Sequence, residues 1–390
     1  MTLFISRKAV GFDKDIFVDD DEIVLSSDIE MSSDMWHLSD KAYRSILRIG
    51  AATAKPLEML PKDPRIAWWS AYSIDLRYDY ILGKKRFNDN AKRIITECKS
   101  TLQCPEYFLT QYQVQNRLLD MLGPAHASST DIFNITDNDL TSLHPDDEGR
   151  CQTAIYDNYS SSTGRMSIKA GPKILTLDKR FRHVFRSQWG TDGVLVSIDY
   201  SALEPRVIMT LMGEKDLPQD IYTSISEKIG ISGITREVTK VMILSVLYGM
   251  MRKNFILKFI DHTDPDVIYD KLQDVLGVKA MSRKIKSEMT GDFITNYYGR
   301  PLRCENENLF VNHYTQSTAV DVACDGFLKL AQDCSAEITP IFLLHDEMIV
   351  DVHKDNIEKL KNACKNGLFI PSLNTNFYTS MKVFNARKDH

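Results

Sequence analysis

Two stretches of this chain run from apolar, β-rich sequence straight into an acidic residue: GVLVSIDYS, with Asp199, and TPIFLLHDEMIVDV, with Asp346. The first predicts a strand entering a turn, the second a hairpin of two strands turning at His345, Asp346 and Glu347. Between them, REVTKVMILSVLYGM spaces Arg236, Lys240, Leu244 and Tyr248 four residues apart. That spacing puts all four along one face of a helix expected from about Thr235 to Gly249.

An acid after an apolar strand is weak evidence alone, since most such residues cap or turn the chain. Two of them, separated by a cationic helix face, weigh toward catalysis. Transfer of a nucleotidyl group needs charge neutralised on the entering and leaving oxygens, which two Mg²⁺ ions held by hard oxygen ligands provide. Asp199 and Asp346 are the candidate bridging ligands, with the Tyr200 carbonyl completing one metal and Glu347 at the periphery. Arg236 and Lys240 are placed to grip phosphate oxygens. Tyr248 is placed to pack on base or sugar. Each of these side chains taken singly is a surface cation or a core aromatic; the joint spacing carries the reading.

Composition sets the outer bounds. A chain of 390 residues accommodates two or three subdomains, and 43% apolar with 26% charged content is that of a soluble globular protein. No apolar run approaches a membrane span, and the opening MTLFISRKAVGF lacks a signal-peptide layout, so an intracellular, cytoplasmic setting is expected. Seven cysteines without a C-x-x-C pair fit free thiols in a reduced compartment. The net charge of -5 is unevenly spread: residues 1–40 hold ten acids against Arg7, Lys8 and Lys14, and the rest holds 45 basic against 43 acidic side chains. Lys84, Lys85, Arg86, Lys92 and Arg93 form a basic stretch. A net acidic protein still holds a phosphate backbone when its cations line one groove.

Along the chain, residues 1–60 read as an acidic, loosely ordered arm. Residues 61–125 carry helical patterns broken near Pro105, and 123–148 is loop-like. A helix is expected over 308–334 and an amphipathic helix near DNIEKLKNACKNG.

With those elements placed, DYSALEPRV, R-x3-K-x7-YG and HDE resemble the three polymerase motifs of the family A DNA polymerases, the group of bacterial DNA polymerase I and many phage replicases. SSSTGRMS is similar to the T-G-R-[LM]-S element, VNHYTQSTAVD to the N-x3-Q-[GS]-T-A helix, and NYYGRPLR to the Gly-Arg turn before it. The resemblance spans roughly residues 155–352. It implies an α+β right-hand fold with an antiparallel-sheet palm, helical fingers and a reduced helical thumb. The divisions would be an arm at 1–60, a thumb-like region at 61–150, palm at 151–212, fingers at 213–298 and palm again at 299–390. By the same resemblance, Arg165, Asn312 and Gln316 meet the minor groove of primer–template DNA, Arg300 belongs to the DNA-binding set, and His345 touches the primer terminus. Minor-groove acceptors occur on every correct pair, so donors there check shape without reading sequence.

The expected activity is template- and primer-dependent addition of dNTPs to a primer 3′-OH, with Mg²⁺ (or Mn²⁺ in its place), by a monomer that works beside separate replication proteins. Single-subunit RNA polymerases share the palm and the Arg–Lys–Tyr–Gly helix. Glu204, whose bulk in family A excludes a ribose 2′-OH, together with Glu347 and the TGRMS element, favours dNTPs. A catalytically silent DNA-binding derivative is the third reading, and the intact Asp199, Asp346, Arg236 and Lys240 weigh against it. Four positions depart from the family pattern: Leu244 where Phe or Tyr is usual, Pro205 for Leu, Tyr222 for a triphosphate-contacting His, and KILTL after Pro172. Asp28 and Glu30 form an acid-x-acid triplet, read here as chance within an acidic arm, so no 3′→5′ exonuclease is expected.

Overall fold

The computed structural model describes residues 3–5, 15–19, 22–26, 107, 110–133, 142–158, 161, 163–230, 233–262, 264–289, 293–304 and 306–386. The chain divides into two compact units, Met1–Tyr112 and Gln113–His390. In the first, β1 (Leu3–Ile5), β2 (Asp15–Asp19) and β3 (Glu22–Ser26) form an antiparallel meander, so the expected loosely ordered arm contains a sheet. The basic stretch around Lys84–Arg93, the Asp28/Glu30 triplet and the helical patterns before Gln111 lie outside the described residues, apart from isolated positions at 107 and 110.

The second unit is organised by a four-stranded antiparallel sheet in the order β11-β12-β8-β15. Here β8 is Gly193–Tyr200, β11 Ile338–Leu344, β12 Glu347–His353 and β15 Thr379–Val383. Its middle is apolar for a physical reason: Leu195, Ile198, Met348, Ile349, Val350 and Val352 are fully buried or nearly so. Each such side chain contributes on the order of 1.5–3 kcal/mol by leaving water. The strand β8 and the hairpin β11–β12 lie where the sequence places them. β15 does not: the sequence reading ended the tail in a helix, α10 (Ile357–Cys364), whereas the chain continues and β15 pairs with β8 from Thr379↔Tyr200 to Val383↔Val196.

Helices make up much of the rest of the described chain in this unit. A short α1 (Gln111–Asp120) precedes β4 (His126–Ala127) and α2 (Ser129–Phe133), where a loop was expected. After β5 (Ile155–Asp157), β6 (Ser167–Ala170) and β7 (Phe185–Arg186), β8 turns directly into α3 (Leu203–Leu211). Then come α4 (Ile221–Lys228), α5 (Arg236–Leu247), α6 (Arg252–Lys258), α7 (Pro265–Val275) and α8 (Val278–Glu288). A small hairpin, β9 (Phe293–Thr295) with β10 (Pro301–Arg303), leads into the long α9 (Phe310–Asp333). Met242, Ile243, Val246 and Leu247 of α5 pack with Ile208, Ile225, Phe255, Leu272 and Met281 in a second core. Among the described residues no helix is long and apolar enough to cross a membrane.

Candidate active site

Backbone pairing alone determines where the two aspartates lie. Asp199, next to last in β8, stands directly opposite Glu347 of β12 on one side and Ser380 of β15 on the other. The Tyr200 N–H donates to the Asp346 carbonyl at 3.0 Å, so Asp346 sits beside the end of β8. His345 and Asp346 are the two residues between the paired Leu344 and Glu347. A two-residue turn of that kind needs a left-handed residue, and His345 supplies it at φ 60°. A non-glycine residue in that region carries strain, a feature concentrated at functional sites.

The charge of one carboxylate acts on the other. Burial first, then the charges of Asp346 and Glu347, push Asp199 up to about 6, opposed by Lys382 and Lys240. Burial also raises Asp346, opposed by His345 and Arg165. Two acids in this state are best relieved by a cation. Among the described residues no cluster of three or more His, Cys, Asp or Glu is arranged to hold a metal by itself. Two hard carboxylates fit the way Mg²⁺ is usually held, with substrate phosphates and water completing its shell. Glu347 is engaged elsewhere: it accepts from Ser197 Oγ, and Arg182 Nη1 lies 3.9 Å away.

The stripe on α5 faces outward as its spacing requires. Arg236, Lys240 and Tyr248 are exposed and Leu244 is half-buried, while the opposite side of the helix is core. Arg236 Nε donates to Asp220 at 2.8 Å, and its guanidinium lies over the Tyr222 ring. Leu244 and Tyr248 line a cavity of about 580 Å³ with Met250, Asn254, Lys258 and Asn308. Tyr248 OH donates to Glu204 Oε2 at 2.7 Å, and Arg165 Nη2 reaches Glu204 Oε1 at 2.8 Å. Burial raises Glu204, opposed by these two partners, and burial pushes Tyr248 up to about 12. The Glu204 side chain, in the first turn of α3, is therefore clamped between the TGR element and the end of α5.

A profile of DNA polymerase family A matches residues 106–383. This chain belongs to the family A DNA polymerases. It is 25% identical over 232 residues to a DNA polymerase of Mycobacterium phage L5, covering 55% of this chain and 37% of that protein. To the thermostable DNA polymerase I of Thermus filiformis it is 24% identical over 256 residues, covering 57% and 30%. The chain thus aligns with only about a third of the length of these relatives. The fold resembles the POL domain of Pol1 from M. smegmatis, solved in complex with DNA primer-template and dNTP, with a TM-score of 0.51, 14% identity, and 79% of this chain and 55% of that chain covered.

Within this family A chain, the remaining expected residues fall into two groups. Asn312 and Gln316 lie one turn apart on α9; Asn312 Oδ1 is buried without a hydrogen-bond partner and Gln316 is 8% exposed. His345 is lowered by burial and then by Arg165. Arg300 is the correction. It is 1% exposed and its Nη2 donates to the Asn158 carbonyl at 3.0 Å, so it braces the protein from within. A Cβ on Gly164 (φ +77°) would lie 2.9 Å from the Arg300 guanidinium carbon, so the TGR loop rests on this side chain. Asn296 and Gln115 donate to Asp321, which is fully buried on α9, at 2.6 and 2.7 Å, and Asn158 donates to Gln115 at 3.2 Å. This buried polar network was absent from the sequence reading.

Two cations near the carboxylates were also missed. Lys382 comes from β15, in register with Ser197 and two residues along from the partner of Asp199. Arg182 stacks over Phe384 at 4.8 Å beside Glu347. No periodic or motif signal marks either; both depend on β15 and the chain just beyond it joining the sheet edge.

Proposed function

We propose that this chain is a template- and primer-dependent DNA polymerase that adds dNTPs to a primer 3′-OH. The observation that supports the reading is the pairing of β8 with β12, which brings Asp199 to the turn that carries Asp346, where the charges of Asp346 and of Lys240 on α5 act on it. In the proposal the four-stranded sheet with α9 is the palm and α4 to α8 are the fingers.

When bound, two Mg²⁺ ions supply Lewis-acid stabilisation of the entering and leaving oxygens. Asp199 and Asp346 would hold them, with the Tyr200 carbonyl as a further donor. Arg236 and Lys240 bind the triphosphate and neutralise the pyrophosphate that leaves. Glu204, clamped by Arg165 and Tyr248, occupies the space a ribose 2′-OH would need. Arg165, Asn312 and Gln316 donate to minor-groove acceptors of the terminal pairs, and His345 borders the primer terminus. Arg300 acts one step back, holding the loop that carries Arg165. No proofreading step is assigned to these residues, and no second copy of the chain is required.

Primer extension with Mg²⁺ and either dNTPs or NTPs tests this. The reading expects dNTP-dependent extension that is lost in Asp199→Ala and Asp346→Ala. Extension surviving both substitutions contradicts the metal assignment, and a preference for NTPs supports the RNA polymerase reading instead.

A further inference from the structure

Resting on the polymerase reading, we propose that the first turn of α4 sets the strength of the triphosphate grip: the Tyr222 ring is a platform for Arg236 and Lys240, and Asp220 is a tether on Arg236 that an incoming anion displaces. Two long, exposed cations on a helix face are poorly preorganised by themselves, because each side chain keeps much of its rotamer freedom. Here both lie over one aromatic ring. The Arg236 guanidinium is 5.3 Å and the Lys240 ammonium 5.9 Å from the Tyr222 ring centroid, within the range where a ring holds a cation. Tyr222 is only 5% exposed, so the platform is a fixed part of the fold.

Asp220 acts on the same guanidinium in the opposite sense. Its Oδ2 accepts from Arg236 Nε at 2.8 Å, a bond that leaves Nη1 and Nη2 outside it. Asp220 is itself held as the N-cap of α4, accepting from Thr223 N at 3.4 Å and Thr223 Oγ1 at 2.8 Å. A carboxylate this close both orders the arginine and competes with any phosphate for it.

The turn is also bolted to the carboxylate end of the site. Arg206, 2% exposed, donates from Nε to the Ser201 carbonyl at 2.7 Å and from Nη2 to the carbonyls of Pro218 and Gln219, each at 2.6 Å. Ser201 lies two residues after Asp199, so one buried guanidinium ties the residues just before Asp220 to the strand end that carries Asp199. The turn on which the two α5 cations rest is thereby referenced to the carboxylates through α3 and α4.

Platform and tether predict effects of opposite sign. The full chain and its Tyr222→Leu, Tyr222→Phe and Asp220→Asn variants are compared by calorimetric binding of inorganic tripolyphosphate, and by KM for dATP, kcat and Kd for primer–template. Tyr222→Leu is expected to weaken tripolyphosphate binding and raise KM about 5–10-fold, with Kd for primer–template unchanged. Tyr222→Phe keeps the ring and stays within about twofold. Asp220→Asn keeps the N-cap and tightens binding about 2–5-fold. Wild-type values for Tyr222→Leu, a loss in Tyr222→Phe equal to that in Tyr222→Leu, or weaker binding in Asp220→Asn would each overturn the proposal. If Tyr222→Leu does not fold, the sign of the Asp220→Asn effect decides. Tripolyphosphate binding that follows this pattern in a chain unable to extend primers would sink the polymerase reading and leave the grip standing. Extension with unchanged binding in every variant would do the reverse.

Discussion

The two halves of the site are built by different means. The carboxylates are positioned by the backbone: Asp199 and Asp346 are where they are because β8 and β12 pair in one register, and a slip of one residue would turn Asp199 to the opposite face. The cations are set on one face by α5 and aimed by side chains, a carboxylate at 2.8 Å and a ring beneath them. The first arrangement tolerates no compromise, and the second can be tuned in steps. The comparison predicts near-complete effects at the carboxylates and graded ones on the helices.

The largest effect is expected at Asp199 and Asp346. Alanine at either should lower single-turnover incorporation by about 10³–10⁵-fold, since metal-based charge stabilisation is worth several kcal/mol and about 1.4 kcal/mol is tenfold. A loss below tenfold would break the contrast. Next is Glu204→Ala, which removes the side chain clamped by Tyr248 and Arg165. Steric rejection of one small group is worth about 10–200-fold, so the dNTP/NTP ratio of kcat/KM should fall by that order. Tyr248→Phe should fall by less, because it removes one of two anchors.

Arg300→Met probes the scaffold. It strands the Asn158 carbonyl, and about 2–4 kcal/mol of stability should be lost. Thermal melting reads this as a lower Tm, and primer–template affinity should fall as the Arg165 loop loosens. A stable variant with weakened DNA binding would instead point to direct contact by Arg300.

The smallest effect concerns pH. The folded value of Asp199, about 6, lies above its ordinary value, so the metal-free folded state holds this proton more tightly than the unfolded chain does. Its contribution therefore favours folding more as pH falls toward 4 and is lost as pH rises through about 6. In EDTA, the decline of wild-type Tm between pH 5 and 7 should be shallower in Asp199→Asn, measured by calorimetry at each pH.

Much of the site was legible because it is written in local periodicity. The Arg236–Lys240–Leu244–Tyr248 stripe is exposed or half-exposed and its reverse side buried, as four-residue spacing demands. The hairpin through His345 and Asp346 follows from apolar runs flanking a turn. What escaped depends on partners distant in sequence. TSMKV carries no sign of which strand it joins, yet as β15 it brings Lys382 to the site. Arg300 reads, through the Gly-Arg turn, as part of the DNA-binding set, and its bond to the Asn158 carbonyl, 142 residues away, is not visible in the sequence. Asp220 is an ordinary helix cap in sequence, and its second bond to Arg236 exists only once α4 and α5 pack together.

The most direct test is anomalous diffraction from crystals of the chain with primer–template, Mn²⁺ and a non-hydrolysable dNTP analogue. The account predicts manganese peaks bridging the carboxylates of Asp199 and Asp346, with the triphosphate reaching back to Arg236 and Lys240. Manganese bound elsewhere, or a triphosphate turned away from α5, would contradict it.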